Sequence, residues 1–239
     1  MISNRILISF IVLAFLCSGF YVNGQAERND YLDSIRAQLQ VHWPKNRTIK
    51  LVFHGHSVPA GYFKSGNVKS LDSYPYLSLK KLNEIYPYAV ISPMVTAIGG
   101  EQSEQGAERF QRDVLKMHPD VIFIDYSLND RSIGLESAEK SWKFMIESAL
   151  ANDIKVILLT PTPDLREDIS DPETPLAKHA RQVRNLAEQY QIGIVDSYAI
   201  FQQLSEKENL SNYMSQNNHL NGLGHDLVAN NIIKYFLEE

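Results

Sequence analysis

Apolar residues fall along this chain in short dense blocks, separated by longer stretches in which they recur every three or four positions. The blocks occupy residues 49–53, 89–98, 121–126, 156–160 and 192–196. Each is of strand length and strongly apolar, the pattern of a strand covered on both faces. Helical spacing marks 74–85, 103–117, 137–152 and 174–191, and a last helix spans about 222–237. Ahead of the first block, 28–43 also has helical spacing and is stopped by Pro44. Strands alternating with helices predict an α/β domain, three-layer α/β/α, around a five-stranded parallel sheet. No internal repeat, low-complexity segment or linker interrupts it. The expected organisation is a leader over 1–24, an N-terminal helical extension over 25–48 and the domain over 49–239.

The leader reading rests on Arg5, followed by an apolar run from Ile6 to Leu16 that only Ser9 interrupts. Such a run is too short to span a bilayer and fits a secretory signal, with cleavage expected after Gly24. Cys17 raises the rival idea of a lipid anchor, which the bulky Leu16 before it disfavours. Cys17 is also the sole cysteine, so a chain cut after Gly24 has no disulfide or thiol chemistry. The remaining composition is that of a soluble domain, 44% apolar and 21% charged. A net charge of −5 without a basic run argues against nucleic acid as a partner.

Ligands of open parallel sheets bind beyond the carboxyl ends of the strands, and four polar clusters fall at that edge. They are "GHSVPAG" with Ser57, "AIGGEQSEQG" with Gly99 and Gly100, "DYSLNDR" with Asn129 and Asp130, and "QNNHLNGLGH" with His219. Taken singly, each has an ordinary explanation. Ser57 reads as a helix cap, Gly99-Gly100 as a turn, Asn129-Asp130 as a cap and His219 as a loop residue bonded to backbone.

Together, in this order, the four clusters resemble the SGNH (GDSL-like) hydrolase family, from about residue 49 to the end of the chain. The resemblance implies the flavodoxin-like SGNH hydrolase fold and assigns roles. Ser57, in Gly55-His56-Ser57-Val58-Pro59-Ala60-Gly61, becomes the nucleophile. Gly100, with Gly99 as the fallback, supplies an oxyanion-hole amide. Asn129 supplies a side-chain donor, and His219 is the base. Three positions depart from the family pattern: His56 replaces an aspartate, Ser127 a glycine, and Gln216 the aspartate expected three residues before His219. The last matters most, because that carboxylate fixes the histidine tautomer and stabilises the imidazolium. Gln216, a backbone carbonyl or an acid from elsewhere is left to hold the ring.

The expected activity is that of a secreted serine esterase acting through an acyl-enzyme, with no cofactor. The resemblance and an extracytoplasmic location favour a glycan acetyl ester as substrate. A lipid or other short-chain acyl ester is the alternative, and so is a catalytically weak binding module. A nucleotide-binding flavodoxin-like protein is disfavoured, since "GHSVPAG" lacks the spacing of a phosphate loop. His54 and His56 form an H-x-H pair, but no third ligand has suitable spacing, so no metal is expected. His225 is expected to pack or cap the last helix. His179, Asp164 and Arg131 are expected on solvated surface near the site, with substrate contact as the alternative, and Tyr62, Phe63, Tyr74 and Tyr76 mostly as core or rim filling.

Overall fold

The computed structural model describes residues 28–237. The leader, its cleavage position and Cys17 lie outside the described residues. Two short helices, α1 (Arg28–Tyr31) and α2 (Asp33–Leu39), lead into β1 (Thr48–Gly55). The 28–43 helix expected from spacing is thus broken after Tyr31 and ends before Pro44.

After β1 come a one-turn helix, α3 (Ser57–Ala60), then α4 (Tyr74–Ile85) and β2 (Val90–Val95). Next are α5 (Ser103–Asp113), β3 (Val121–Asp125), a second single turn, α6 (Ser127–Asp130), and α7 (Gly134–Leu150). The chain continues through β4 (Lys155–Leu159), α8 (Pro175–Tyr190), β5 (Gly193–Val195) and α9 (Ser197–Ser205). It closes with a two-stranded hairpin, β6 (Met214–Gln216) and β7 (His219–Leu220), and α10 (Gly222–Ile233). The spacing of the sequence had not indicated α9 or the hairpin.

Strands β1 to β5 are parallel in the order β2-β1-β3-β4-β5. Side chains of a strand alternate between faces, and here the alternation divides two cores. Leu51, Phe53, Val121, Phe123, Ile157 and Leu159 join one core with residues of α2, α4 and α10. Val52, Ile122, Ile124, Val156 and Leu158 join the other with residues of α5 and α7, Trp142 among them. Both faces of the sheet are covered, as three layers require. Strand order reverses between β1 and β3, and ligands of doubly wound sheets bind at that switch point. The loops after β1, β2 and β3 therefore emerge side by side.

Candidate active site

The nucleophile turn is shaped by contacts that precede it. At Gly55 a Cβ would stand 2.3 Å from the Asp125 carbonyl oxygen, so only glycine lets β1 and β3 end this close together. His56 then adopts an extended conformation (φ −106°), and its Nδ1 accepts the Val58 N–H at 3.2 Å. The cap of α3 is thus His56, and Ser57 is the first helical residue. Gly61 ends the turn at φ +87°, a left-handed conformation that glycine adopts without steric cost. With Nδ1 occupied as acceptor, the proton of His56 is on Nε2, which faces Asp125 Oδ1 at 3.3 Å. The other Asp125 oxygen accepts from the Tyr74 hydroxyl at 2.9 Å. All three side chains are buried, so a polar cluster underlies Ser57.

His219 reaches Ser57 from the far end of the chain. Across β6–β7, Gln216 and His219 are register partners, which sets their side chains together over the two-residue turn. His219 Nε2 lies 2.8 Å from Ser57 Oγ. On its other side, the Gln216 amide nitrogen is 2.6 Å from Nδ1, while Gln216 Oε1 accepts the Ser65 N–H at 3.3 Å. The backbone of Phe63 also hydrogen-bonds the ring and favours its protonated form. Burial, reinforced by the neighbouring His56, nevertheless holds His219 below the ordinary histidine range. Two of the holders left open by the sequence are thus present, an amide and a backbone group.

Gly100 and Asn129 line one cleft of about 560 Å³, together with Leu128, Arg131, Arg166 and Asn218, the neighbour of His219. Gly100 has φ +85°, and no atom lies within 4 Å of where its Cβ would be. Gly99 is different: a Cβ there would meet the Tyr62 ring at 2.9 Å. That ring in turn lies 6.2 Å from the His219 ring. The first glycine makes room for an aromatic wall, while the second is open to the cleft. Asn129 donates one amide hydrogen to the Glu101 carbonyl at 2.9 Å, leaving its second hydrogen. Ser127 lies in the right-handed turn α6, so losing the family's glycine costs nothing in backbone conformation there.

Asp130 is a structural neighbour: its carboxylate accepts the Ser103 N–H and the Trp142 indole N–H, both at 2.7 Å. Burial raises its pKa to about 6.

Two expectations need correction. Asp164 and His179 are 2% and 3% exposed, so they are not solvated surface. Asp164 is charge-balanced by Arg131 at 2.9 Å and by Arg166. Burial lowers the pKa of His179 to about 4. His225 accepts the Tyr74 N–H at 3.3 Å, and burial takes it down to about 3. The Phe63 ring packs on His225 and the buried Tyr74 ring on Phe53, whereas Tyr62 walls the site. His54 and His56 engage protein partners instead of each other, and among the described residues no cluster of metal-binding groups forms.

The doubly wound parallel sheet is a flavodoxin-like α/β/α fold, and a serine–histidine pair lies at its switch point. Residues 53–227 match the GDSL-like Lipase/Acylhydrolase family, and the chain belongs to it, which makes it a serine ester hydrolase. Among solved structures it is similar to an acetylxylan esterase from Geobacillus stearothermophilus, at 21% identity and a TM-score of 0.70 over 80% of this chain and 95% of that one. It is also similar to a two-domain esterase active on acetylated mannans, at 18% identity and a TM-score of 0.72 over 89% of this chain. The match spans 54%, about half, of that two-domain protein. No curated protein matches the sequence.

Proposed function

We propose that this protein hydrolyses acetyl esters of a carbohydrate through an acyl-enzyme on Ser57. The observation that carries the chemistry is the 2.8 Å approach of His219 Nε2 to Ser57 Oγ. With its own proton on Nδ1, the ring takes the hydroxyl proton as oxygen attacks the ester carbonyl, then returns it to the leaving alcohol. Gly100 and Asn129, at the cleft beside the pair, are the donors for the developing oxyanion. In this reading the amide of Ser57 joins them.

Support for a carbohydrate comes from the cleft itself. Its walls carry Gln102, Asn129, Arg131, Ser132, Arg166, Glu167 and Asn218. Such a lining offers hydrogen bonds to a polyol and little apolar surface to a long acyl chain. The activities named for the two structural neighbours, on acetylated xylan and mannan, point the same way. An insoluble or polymeric glycan lies outside the membrane, which agrees with export directed by residues 1–24. Among the described residues no helix is long and apolar enough to cross a membrane.

Release of acetate from acetylated xylan, acetylated mannan and a hexanoyl ester tests the reading. Wild type is expected to release acetate from at least one glycan and to prefer it over the hexanoyl ester, while Ser57→Ala is inactive with an unchanged melting temperature. Full turnover by Ser57→Ala would overturn the mechanism. Preference for the hexanoyl ester would overturn the substrate class.

A further inference from the structure

The two side-by-side oxyanion donors come from different loops, and one residue touches both. We propose that Glu101 is a positioning residue that sets Gly100 and Asn129 in register with each other. The inference rests on the serine-esterase reading of the site and adds a residue that the four motif clusters left without a role.

Gly100, at φ +85° with open space at its Cβ position, lies in the turn closed by the Glu101 N–H to the Ile98 carbonyl at 3.3 Å. Its orientation therefore depends on its neighbours. Glu101, the next residue, is anchored twice. Its backbone carbonyl accepts Asn129 Nδ2 at 2.9 Å. Its carboxylate accepts Arg109 Nε at 2.8 and 3.1 Å and the Tyr126 hydroxyl at 3.3 Å. Tyr126 immediately precedes α6, and its carbonyl accepts the Asn129 N–H at 3.0 Å. The carboxylate of Glu101 thus grips the start of the turn that carries Asn129, while its carbonyl grips the asparagine side chain.

The clamp continues into the sheet. Arg109 Nη2 donates to the Tyr126 hydroxyl at 3.2 Å, and that hydroxyl lies 3.2 Å from His54 Nε2. His54 Nε2 also donates to the Gly106 carbonyl at 3.1 Å, and His54 Nδ1 bonds Thr96 Oγ1 at 2.8 Å. Gly106 leaves space for the phenol, since a Cβ there would come within 2.4 Å of the hydroxyl. His54 is on β1, Thr96 follows β2 and Tyr126 follows β3, so the network ties the ends of three strands. Arg109 also reaches Asp113 at 3.3 Å, and its side chain and that of Glu101 are 8% and 11% exposed. Burial makes such a pair rigid and makes loss of one partner costly.

Removing an oxyanion donor outright costs roughly 100- to 1,000-fold in turnover. Misaiming two donors without removing either should cost less, about 10- to 100-fold in kcat, with KM within about twofold. Glu101→Gln keeps the size and the backbone carbonyl but removes the charge that holds Arg109. It is compared with wild type on 4-nitrophenyl acetate, and for the rate at which a fluorophosphonate labels Ser57. Both rates are expected to fall together.

A double-mutant cycle separates positioning from general damage. In an Asn129→Ala background, Glu101→Gln should cost several-fold less than in wild type, because one of the groups it aims is gone. Wild-type kcat in Glu101→Gln, or an undiminished loss in the Asn129→Ala background, would overturn the inference. If Glu101→Gln does not fold, Tyr126→Phe takes its place: it deletes one anchor of the carboxylate and leaves the ion pair. It is expected to lower kcat less, with KM unchanged, and a wild-type kcat there would equally overturn the inference. Retained turnover in Ser57→Ala would instead defeat the underlying esterase reading.

Discussion

Replacing Gln216 with glutamate should convert the serine–histidine pair into a three-membered relay, and the structure indicates by how much. In the present arrangement Gln216 turns its oxygen to the Ser65 N–H and its nitrogen to His219 Nδ1. A ring that accepts at Nδ1 carries its proton on Nε2, where it donates to Ser57 Oγ instead of receiving from it. That tautomer cannot act as a base, so turnover requires the ring to protonate at Nδ1 against a donor. A carboxylate at residue 216 would accept from both Ser65 and Nδ1, enforcing the productive tautomer. Unit charges about 4 Å apart attract by about 4 kcal/mol at the effective dielectric of a protein surface. Because the ring is only partly buried, about half of that is retained, equivalent to a rise of one to two pKa units, or about 1.4 kcal/mol each. The acid limb of the kcat/KM profile on an acetyl ester should therefore move up by about one to two units in Gln216→Glu. Plateau turnover should rise at least about tenfold, a fraction of the 10,000-fold that a triad carboxylate contributes. Gln216→Ala, which removes the competing donor and no charge, should change kcat by less than about tenfold. An acid limb that stays in place or moves down in Gln216→Glu would show that residue 216 does not govern the ring.

Acid should destabilise the protein from near neutrality. His54, His179 and His225 are held by burial to about 3, 4 and 3, all below the ordinary value, so the unfolded chain binds more protons below pH 6.5 and stability is lost as pH falls. At pH 5 each contributes a loss of about 2 kcal/mol, and Asp130, raised to about 6, offsets only about 1 kcal/mol in the opposite direction. The melting temperature should drop by at least about 10 °C between pH 7 and 5, and a flat profile would refute this account. Export makes a separate prediction: intact mass of protein recovered from outside the cytoplasm should correspond to a chain beginning at Gln25. Recovery of the uncleaved chain, or of one lipidated on Cys17, would overturn it.

Much of this was legible in the sequence because apolar blocks report burial directly. The strand that ends at Gly55 and the helix Tyr74–Ile85 both follow from spacing alone, since each packs a continuous apolar set into the core. Ser57 and His219 were legible through the motif clusters. The missed elements are those whose cause is tertiary. Helix α9 (Ser197–Ser205) is 9 residues long and its cap, Asp196, falls inside the apolar block 192–196, so the signal that starts it is hidden at the end of a strand. The β6–β7 hairpin is too short to show alternation, and its pairing depends on closure around Asn217 and Asn218. Glu101 sat within a motif, but its partner Arg109 lies on a helix and Tyr126 beyond another strand. Only folding makes them neighbours. Asp164 and His179 were misjudged for the related reason that polarity alone gives no warning of burial when the compensating charge is distant in sequence.

The small hairpin that carries His219 has a further consequence. Ser57 stands on the central sheet, whose strands are buried on both faces, whereas His219 stands on two short strands outside it. Met214 and Leu220 anchor its ends in the core, but the turn between them is tied down by single bonds such as Leu165 N–H to the Asn217 carbonyl at 2.7 Å and Ser65 N–H to Gln216. Elements with few buried contacts open at lower free energy than the core around them. Heat would thus separate base from nucleophile before the molecule melts, and inactivation at first would be reversible on cooling. The working temperature of the enzyme would then be limited by the turn between Met214 and Leu220, and crosslinking that turn to its neighbours would extend it without any change to the core.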